Sequence, residues 1–268
     1  MMENHGYAEA VQVPYLKELM QKYAYARNYT AVSHPSLPNY IAAISGEIYG
    51  LRLDCSPGVD CHVTGVEKNL ADQLEAAGFS WKAYLGGMPE ACWPKNEPTY
   101  GVVTNPFIYF DSIRDDQTRC KTKDVPFEDF QSDLDSGNLP DFAWISPDLC
   151  QSMHSKCGGL TSRSVQGEEW LKSQIPRILA APQFQKNGLI VIAFDEGVGD
   201  AGCCGAPGGG NVLVLLISSS DILKSGGYVS DVPYNHYSLL RTLEDNWGLE
   251  HLGRSGDADV QSMSDFFK

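Results

Sequence analysis

Short apolar runs alternate along the chain with longer segments whose apolar residues recur at helical spacing. The clearest run is 189–194, Leu-Ile-Val-Ile-Ala-Phe, which is apolar at every position and therefore typical of a strand buried on both faces. Similar runs predict strands at 79–84, 140–146 and 212–218. Strands that alternate with helices indicate an α/β fold with a largely parallel sheet.

Helices are predicted at 7–23, 38–46, 66–77 and 236–247. The second begins at Pro38 and ends at Gly46, and Asn235 is placed to cap the last. Residues 86–139 are rich in turns and predict an irregular cap or rim over one end of the sheet. Because no linker interrupts the chain, we expect residues 1–268 to form a single domain.

The size and charge of the chain exclude several classes of protein. Its 268 residues, 43% of them hydrophobic, can bury one large core. The net charge is −14 and no run of Lys or Arg offers a basic stripe, so nucleic acid is not an expected partner. No apolar stretch of about 18 residues is present to span a membrane. The G-x-S-x-G, H-E-x-x-H and P-loop motifs of other enzyme classes are also absent.

The first residues, Met-Met-Glu-Asn-His, have no apolar run ahead of them. We therefore expect a processed chain or a fragment that has lost its export signal. The first strand is expected to be missing, or reduced to the two methionines.

The spacing of the eight cysteines indicates an oxidising compartment. No Cys or His set has the spacing of a zinc site, and two cysteine pairs bracket short loops. We expect three disulfides, Cys55–Cys61, Cys92–Cys120 and Cys150–Cys157, in a secreted or periplasmic protein. Buried reduced thiols are the alternative. The adjacent Cys203 and Cys204 could form a strained ring or stay reduced.

Two acidic residues, Asp195 and Glu196, follow the strand 189–194 directly. Function in open α/β sheets collects at the carboxyl ends of strands, and carboxylate oxygens are the ligands that hard divalent cations prefer. An isolated acidic pair is more often a solvated turn. The position after a buried strand favours a metal site.

The segment 33–40, Ser-His-Pro-Ser-Leu-Pro-Asn-Tyr, places Ser36 just before a predicted helix. Amides at a helix N-terminus favour an anion, so they could stabilise both a deprotonated serine and a phosphate oxygen. Coordination to a metal is one route to the alkoxide that a nucleophilic serine needs. The alternative is that Ser36 only caps the helix. Among the histidines, His154 and His236 stand out because each lies at the boundary of a predicted element.

Seven short motifs occur in order along the chain. They are Met2-Glu3-Asn4-His5, His34-Pro35-Ser36-Leu37-Pro38-Asn39-Tyr40, Ser80-Trp81-Lys82-Ala83-Tyr84, Asn105-Pro106-Phe107, Ser146-Pro147-Asp148-Leu149-Cys150 with Met153-His154, Phe194-Asp195-Glu196-Gly197, and His236-Tyr237-Ser238-Leu239-Leu240-Arg241-Thr242. Together they resemble, nearly end to end, the phosphoesterase family of the alkaline-phosphatase superfamily, which contains bacterial and fungal acid phosphatases and phospholipase C enzymes. The resemblance implies a three-layer α/β/α sandwich around a mostly parallel sheet, with the site at the carboxyl ends of the strands.

The resemblance also implies a role for each matching polar residue. Glu3, Asn4, Asp195 and Glu196 match metal ligands, and Ser36 matches the nucleophile that also contacts the metal. The implied cofactor is one or two divalent metal ions of unknown identity.

A second group of matching residues is implied to act on the substrate. Asn39, His154 and His236 are expected to bind it, and the two histidines to assist or protonate the leaving group. At two positions the chain differs from many relatives. Thr104 stands where a histidine is frequent, and Asp148 stands where an asparagine is common.

We therefore expect metal-dependent hydrolysis of a small phosphate ester through a phosphoserine intermediate, most simply by an acid phosphatase that acts on monoesters. A phospholipase C-type phosphodiesterase is the alternative, for which residues 86–110 could supply an apolar rim with Met88, Trp93, Phe107, Tyr109 and Phe110. A secreted binding protein that keeps the fold without activity is the alternative from another class. The sequence leaves the natural substrate and the oligomeric state open.

Overall fold

The computed structural model describes residues 1–65, 68–159, 162–203, 208–224 and 226–268. The helices are α1 Tyr7–Ala10, α2 Pro14–Lys22, α3 Ser36–Ser45, α4 Leu70–Ala76, α5 Asp111–Arg114, α6 Gln117–Lys123, α7 Phe127–Ser136, α8 Ser164–Ala180, α9 Phe184–Asn187 and α10 His236–Trp247. The strands are β1 Ala24–Ala26, β2 Tyr29–Thr30, β3 Trp81–Leu85, β4 Asp124–Pro126, β5 Phe142–Ser146, β6 Ile190–Ala193, β7 Val214–Ile217, β8 Val229–Ser230 and β9 Tyr234–Asn235. Short 3₁₀ helices span Val102–Thr104, Phe107–Tyr109, Gly253–Gly256 and Ser264–Phe266.

Most neighbouring strands run parallel. β3 pairs with β4 and β5, β1 with β8, and β2 with β9, all in parallel. β7 is the exception, since it lies antiparallel between β1 and β6. The described part of the connection from β6 to β7 contains no crossover helix, which a parallel return would need. The predicted α/β fold with a mostly parallel sheet is confirmed, with one antiparallel strand that the sequence did not indicate.

Two groups of helices complete the layers of the sandwich. α3, α4 and α10 pack on one another, and their apolar residues share a core with β3. α2 packs on α8, and this pair shares a second core with β1, β6 and β7. These two cores hold α3 and β6, the elements that carry most of the candidate site.

Met1 and Met2 lie between β5 and β6. The Met1 nitrogen donates to the Ile145 carbonyl at 2.7 Å. The Met2 N–H donates to the Ala193 carbonyl at 2.7 Å, and the Met2 carbonyl accepts from the Asp195 N–H at 3.0 Å. A cavity of about 830 Å³ is lined by residues of both strands. Because Met2 pairs with β6 in this way, the residues that follow Met2 lie at the end of that strand. That the first strand is missing or truncated stays a prediction.

The predicted helices are present, with some shifted ends. α3 begins at Ser36 rather than at Pro38, and Gly46 ends it in the left-handed conformation with φ 72°. α10 has its predicted bounds, and the Asn235 side chain caps it by accepting from two backbone N–H groups. The helix predicted at 7–23 is divided into α1 and α2, because Pro14 begins a new helix.

Residues 86–139, which the sequence predicted as an irregular cap or rim, contain several regular elements. β4 extends the sheet beside β3, and α7 packs against both strands. Phe107, Tyr109 and Phe110 are fully buried, and Met88 is 4% exposed. A turn-rich segment can belong to the core when its turns carry large aromatic side chains, since burying each one stabilises the fold by about 1.5–3 kcal/mol. Four of the five residues predicted to form an apolar rim are therefore buried in the core, and Trp93 is half-buried.

All three expected disulfides are present. The Cα atoms are 6.1 Å apart in Cys55–Cys61, 5.4 Å in Cys92–Cys120 and 5.7 Å in Cys150–Cys157. Two other predictions fall partly outside the described residues. One is the start of the helix predicted at 66–77, whose described part is α4, and the other is the state of the Cys203-Cys204 pair.

None of the described helices is long and apolar enough to cross a membrane.

Candidate active site

The candidate site lies where three segments of the chain meet. Met2 pairs with Phe194 in the manner of parallel strands, so the residues that follow each of them lie side by side. The first turn of α3 packs against this end of β6 and contributes Ser36. The structure thereby brings together the residues that the sequence predicted as metal ligands, which are Glu3, Asn4, Ser36, Asp195 and Glu196.

The Ser36 hydroxyl is surrounded by oxygen atoms. Its Oγ lies 3.3 Å from Asn4 Oδ1, 3.3 Å from Glu196 Oε1 and 3.5 Å from Glu3 Oε2. One hydroxyl proton serves only one acceptor at a time, and an O–H···O hydrogen bond is usually about 2.7–2.8 Å long. The geometry is therefore closer to a shell of oxygen ligands than to a hydrogen-bond network.

Asp195 carries an oxygen atom without a partner. Its Oδ1 accepts from the Asn4 N–H at 2.9 Å, whereas its Oδ2 is buried and has no hydrogen-bond partner among the described residues. Burial, and then the charge of Glu196, raises the pKa of Asp195 to about 7. A buried polar atom with no partner costs about 1–3 kcal/mol, more when it is charged. Either a proton or a cation can remove that cost.

Glu3 is fully buried and is oriented by Tyr40. The Tyr40 hydroxyl, on α3, donates to Glu3 Oε1, which leaves Oε2 beside Ser36. Burial, and then the charge of Asp195, raises the pKa of Glu3 well above its ordinary value. Neighbouring buried carboxylates stay ionised only where positive charge balances them.

His34 orients the second acid of the pair. Its Nδ1 pairs with Glu196 Oε2, and its Nε2 lies 3.0 Å from the Gly199 carbonyl. Burial acts to lower the pKa of His34, but the hydrogen bonds to Gly199 and Glu196 outweigh it and raise the pKa. Burial raises the pKa of Glu196 against the opposing effect of His34. His34 therefore fixes one carboxylate oxygen and leaves the other beside Ser36.

His154 has one ring nitrogen available. Its Nδ1 lies 2.9 Å from Ser155 Oγ, and its Nε2 makes no hydrogen bond within the described part of the chain. Burial, and then the charge of Arg163, lowers the pKa of His154, while the charge of Asp54 opposes the change. The Cys150–Cys157 disulfide closes the loop that carries this histidine. Arg163 and Asp54, whose charges act on His154, lie beside Asn4 and Leu37 respectively.

His236 does not offer a free nitrogen to a substrate, contrary to the role expected from the sequence. It is fully buried, with Nε2 2.6 Å from the Asp195 carbonyl and Nδ1 3.1 Å from the Tyr29 hydroxyl. A carbonyl oxygen only accepts, so Nε2 carries the proton and Nδ1 accepts from Tyr29. Burial lowers the pKa of His236 to about 4, which keeps this neutral form. His236 therefore fixes the backbone of Asp195 through this hydrogen bond.

Asn39 is not placed to bind a substrate either. Its Oδ1 accepts from the N–H groups of Val32 and Ser33 at 2.8 and 3.0 Å. Its Nδ2 donates to the carbonyls of Ser33 and Pro35 at 2.8 and 3.2 Å. The buried amide is used entirely within the loop that precedes α3. Asn39 therefore shapes the loop that presents Ser36, which corrects the role expected from the sequence.

Two charged residues beside the site were not singled out from the sequence. Asp54 Oδ1 accepts at 3.0 Å from the N–H of Leu37, the residue after Ser36. Arg163 Nη2 donates to the Asn4 carbonyl at 3.3 Å. Both come from loops remote in sequence from the motifs, and neither has a periodic or motif signal around it. Only the fold brings them to the site.

The oxygen donors fit a divalent cation when all five residues are counted. Among the described residues, no three His, Cys, Asp or Glu side chains form a metal cluster by themselves. With Asn4 and Ser36 included, the donors around Ser36 Oγ lie 3.3–3.5 Å from it, and neighbouring ligands of an octahedral Mg²⁺ ion lie about 3 Å apart. The unpartnered Oδ2 of Asp195 adds a further donor. A set made only of oxygen atoms suits a hard cation.

Comparison with known proteins places the chain among phosphoesterases. The sequence profile of the Phosphoesterase family matches residues 2–250. A probable acid phosphatase of Kluyveromyces lactis is 31% identical over 274 residues, which cover 97% of this chain and 60% of the relative. A phosphate-repressible acid phosphatase of Penicillium chrysogenum is 29% identical, over 94% of this chain and 59% of the relative. The chain thus spans about three fifths of the length of these curated relatives.

Solved structures share the fold. A protein of the alkaline phosphatase superfamily from Vibrio parahaemolyticus superposes with a TM-score of 0.60 and 15% sequence identity, over 98% of this chain and 68% of that protein. At this identity the similarity shows the fold alone. The α/β/α architecture implied by the sequence motifs is therefore confirmed.

Proposed function

This chain belongs to the phosphoesterase family, and from that premise we propose that it hydrolyses phosphate esters with Ser36 as the nucleophile. One observation carries the proposal. Ser36 Oγ lies at the N-terminus of α3 within a shell of carboxylate and amide oxygens. The relatives named as acid phosphatases favour a phosphomonoester as the substrate.

The five oxygen-donating residues would hold the divalent cation. They are Glu3, Asn4, Ser36, Asp195 and Glu196, and the buried Oδ2 of Asp195 is the observation that supports this assignment most directly. A bound cation favours the Ser36 alkoxide and offsets the negative charge of the phosphoryl oxygens.

In the first step Ser36 Oγ attacks phosphorus, and the bond between phosphorus and the ester oxygen breaks. The Ser36 proton passes to a neighbouring carboxylate, and Glu196 Oε1 is 3.3 Å away. The N–H groups at the start of α3 stabilise the developing negative charge. In its protonated form, which the lowered pKa restricts to acidic pH, His154 donates a proton from its available nitrogen to the leaving alcohol. The products are the alcohol and a phosphoserine.

In the second step water attacks the phosphoserine. A new bond forms between phosphorus and the water oxygen, and the bond to Ser36 Oγ breaks, which releases inorganic phosphate. His154, left neutral by the first step, accepts one proton of the attacking water. Glu196 returns to Ser36 the proton that it accepted in the first step. Arg163 lies beside Asn4 and adds positive charge that retains the phosphoryl group.

The alternatives differ in how much the geometry supports them. A phospholipase C-type phosphodiesterase would use an apolar rim, but Phe107, Tyr109 and Phe110, three of the four aromatic residues expected to form it, are buried in the core. A binding protein without activity would not need an available nitrogen on His154. We also propose an oxidising, secreted or periplasmic location, which the three disulfides support.

Release of 4-nitrophenol from a monoester and from a diester, each with added divalent cation and with a chelator, tests the proposal. We expect cation-dependent release from 4-nitrophenyl phosphate and slower release from bis(4-nitrophenyl) phosphate. Faster release from the diester would favour the phosphodiesterase. Absence of release from both esters, in protein shown to contain metal, would favour the binding protein and contradict the proposal.

A further inference from the structure

Asp54 occupies an amide that the proposed reaction needs. Its Oδ1 accepts a hydrogen bond of 3.0 Å from the N–H of Leu37. This is the first amide after the nucleophile, in the opening turn of a ten-residue helix. Amides in this position bind anions such as phosphate. In this structure the anion held there is a carboxylate of the protein itself.

Asp54 reaches the amide from a loop that is anchored independently of it. The neighbouring residue Cys55 is bonded to Cys61, and its carbonyl accepts from the buried Tyr109 hydroxyl at 2.6 Å. Asp54 itself is exposed. An exposed carboxylate on an anchored loop can leave the amide by a change of rotamer, without unfolding of the loop.

The amide that Asp54 holds directly follows the nucleophile in the chain. Leu37 is the residue after Ser36, and Glu3 and Glu196 each lie within 3.5 Å of Ser36 Oγ. A phosphoryl group on Ser36 would therefore lie close to the Asp54 charge.

We propose that Asp54 is the residue that sets the affinity of the site for phosphate and its preference for substrate charge. The phosphate displaces the Asp54 carboxylate from the Leu37 amide, and the displaced carboxylate stays beside the bound ligand. This inference rests on the proposed function. A monoester carries about −1.5 to −2 charges at neutral pH, more than the single charge of a diester. Asp54 therefore opposes the binding of monoesters more than that of diesters.

A purely structural role, in which Asp54 only caps α3, predicts different behaviour in a pair of variants. Asp54→Asn keeps an oxygen that can accept from Leu37 but removes the charge, and Asp54→Ala removes both. Asp60→Asn is the matched control, because Asp60 is exposed within the disulfide loop that begins at Cys55, next to Asp54. A cap would respond to loss of the acceptor, whereas the proposed role responds to loss of the charge.

Calorimetric titration of inorganic phosphate into each variant, with the same added cation, tests the proposal without turnover. We expect Asp54→Asn and Asp54→Ala to bind phosphate about tenfold more tightly than the parent, and Asp60→Asn to match the parent. In a second measurement, kcat/KM of Asp54→Asn should rise more for 4-nitrophenyl phosphate than for bis(4-nitrophenyl) phosphate.

Unchanged or weaker phosphate binding in both Asp54 variants would overturn the proposal. So would a lower metal content in Asp54→Ala, since Asp54 would then be a ligand rather than a competitor. If the parent releases phosphate through Ser36 and Asp54→Asn behaves like the parent, only this inference fails. If the parent neither binds phosphate nor releases it from an ester, the proposed function fails together with it.

Discussion

Asp195 and Asp124 are both fully buried, and burial raises the pKa of each to about 7. Asp124, on β4, accepts from Asn105 Nδ2 with both oxygens at 2.9 Å, and no other acid contributes to its shift. Asp195 has one oxygen without a partner among the described residues, and the charge of Glu196 adds to its shift.

The difference between these two regions shows which observation identifies a site. Burial and a raised pKa are common to both aspartates and therefore do not distinguish them. A carboxylate paired with an amide is a satisfied structural group. Buried acids that lie together around one hydroxyl, one of them with an unpartnered oxygen, need a proton or a cation to remain buried. The functional interpretation of Asp195 rests on its unpartnered oxygen and on the acids beside it.

Replacement of Ser36 is expected to have the largest effect on activity. Ser36→Ala removes the nucleophile that the shell of oxygens surrounds, so turnover of 4-nitrophenyl phosphate should fall at least about 100-fold. Thermal unfolding should stay close to that of the parent, because the hydroxyl makes only long contacts of 3.3–3.5 Å. Retention of more than about a tenth of the parent rate, roughly 1.4 kcal/mol of barrier, would remove Ser36 from this role.

Asp195→Asn and Asp124→Asn test the comparison directly. Loss of the Asp195 charge should lower metal content and turnover together, by at least about tenfold, since even residues that only orient ligands contribute 10–100-fold. Asp124→Asn should leave metal content unchanged. Metal analysis by mass spectrometry with parallel rate measurements checks both. Equal metal loss in the two variants would show that Asp195 and Asp124 do not differ in their contribution to metal binding.

Asp124 is instead expected to govern the pH dependence of stability. Its folded pKa of about 7 lies above its ordinary value, so the folded state binds the proton more tightly. The contribution of Asp124 to the free energy of unfolding is greatest in acid. It declines as the pH rises through the folded pKa and is constant above it. Asp124→Asn should remove that decline, by a few kcal/mol at most. Urea unfolding of both proteins from about pH 4 to 8 measures the difference, and identical pH profiles would contradict this.

The disulfides near the two regions should separate stability from activity. Loss of Cys150–Cys157, as Cys150→Ser with Cys157→Ser, should cost about 2 kcal/mol and slow turnover several-fold, because its loop carries His154. The Cys92–Cys120 disulfide closes a longer loop, so its loss should cost about 3 kcal/mol, with little effect on kcat. Equal effects on kcat from the two double variants would count against a role for the His154 loop.

Much of the fold could be predicted because it has a local cause. The apolar run that forms β6 and the acids after it mark the end of a buried strand, and Asn235 marks the start of α10. The antiparallel direction of β7 could not be predicted, because strand direction depends on the path of the connection. The core position of residues 86–139 was also missed, since turn composition alone does not report burial.

The candidate site shows the same division. Ser36, Asp195 and Glu196 could be predicted because each lies at the boundary of a predicted element, whereas Glu3 and Asn4 were implied only by the resemblance of their motif to the family. The motifs did not reveal the direction in which a side chain points. The His236 ring donates to the Asp195 carbonyl, and the Asn39 amide makes its hydrogen bonds within its own loop. Asp54 and Arg163 lie outside every motif, so only the folded chain shows them beside the site.

Trapping of the covalent intermediate tests the central claim most directly. Metal-loaded protein is mixed with excess 4-nitrophenyl phosphate, quenched in acid, digested and analysed by mass spectrometry. The account predicts the added mass of one phosphoryl group on the peptide that contains Ser36, at Ser36 itself, and its absence from Ser36→Ala. Phosphate release without that modification, or modification of a different residue, would contradict the account.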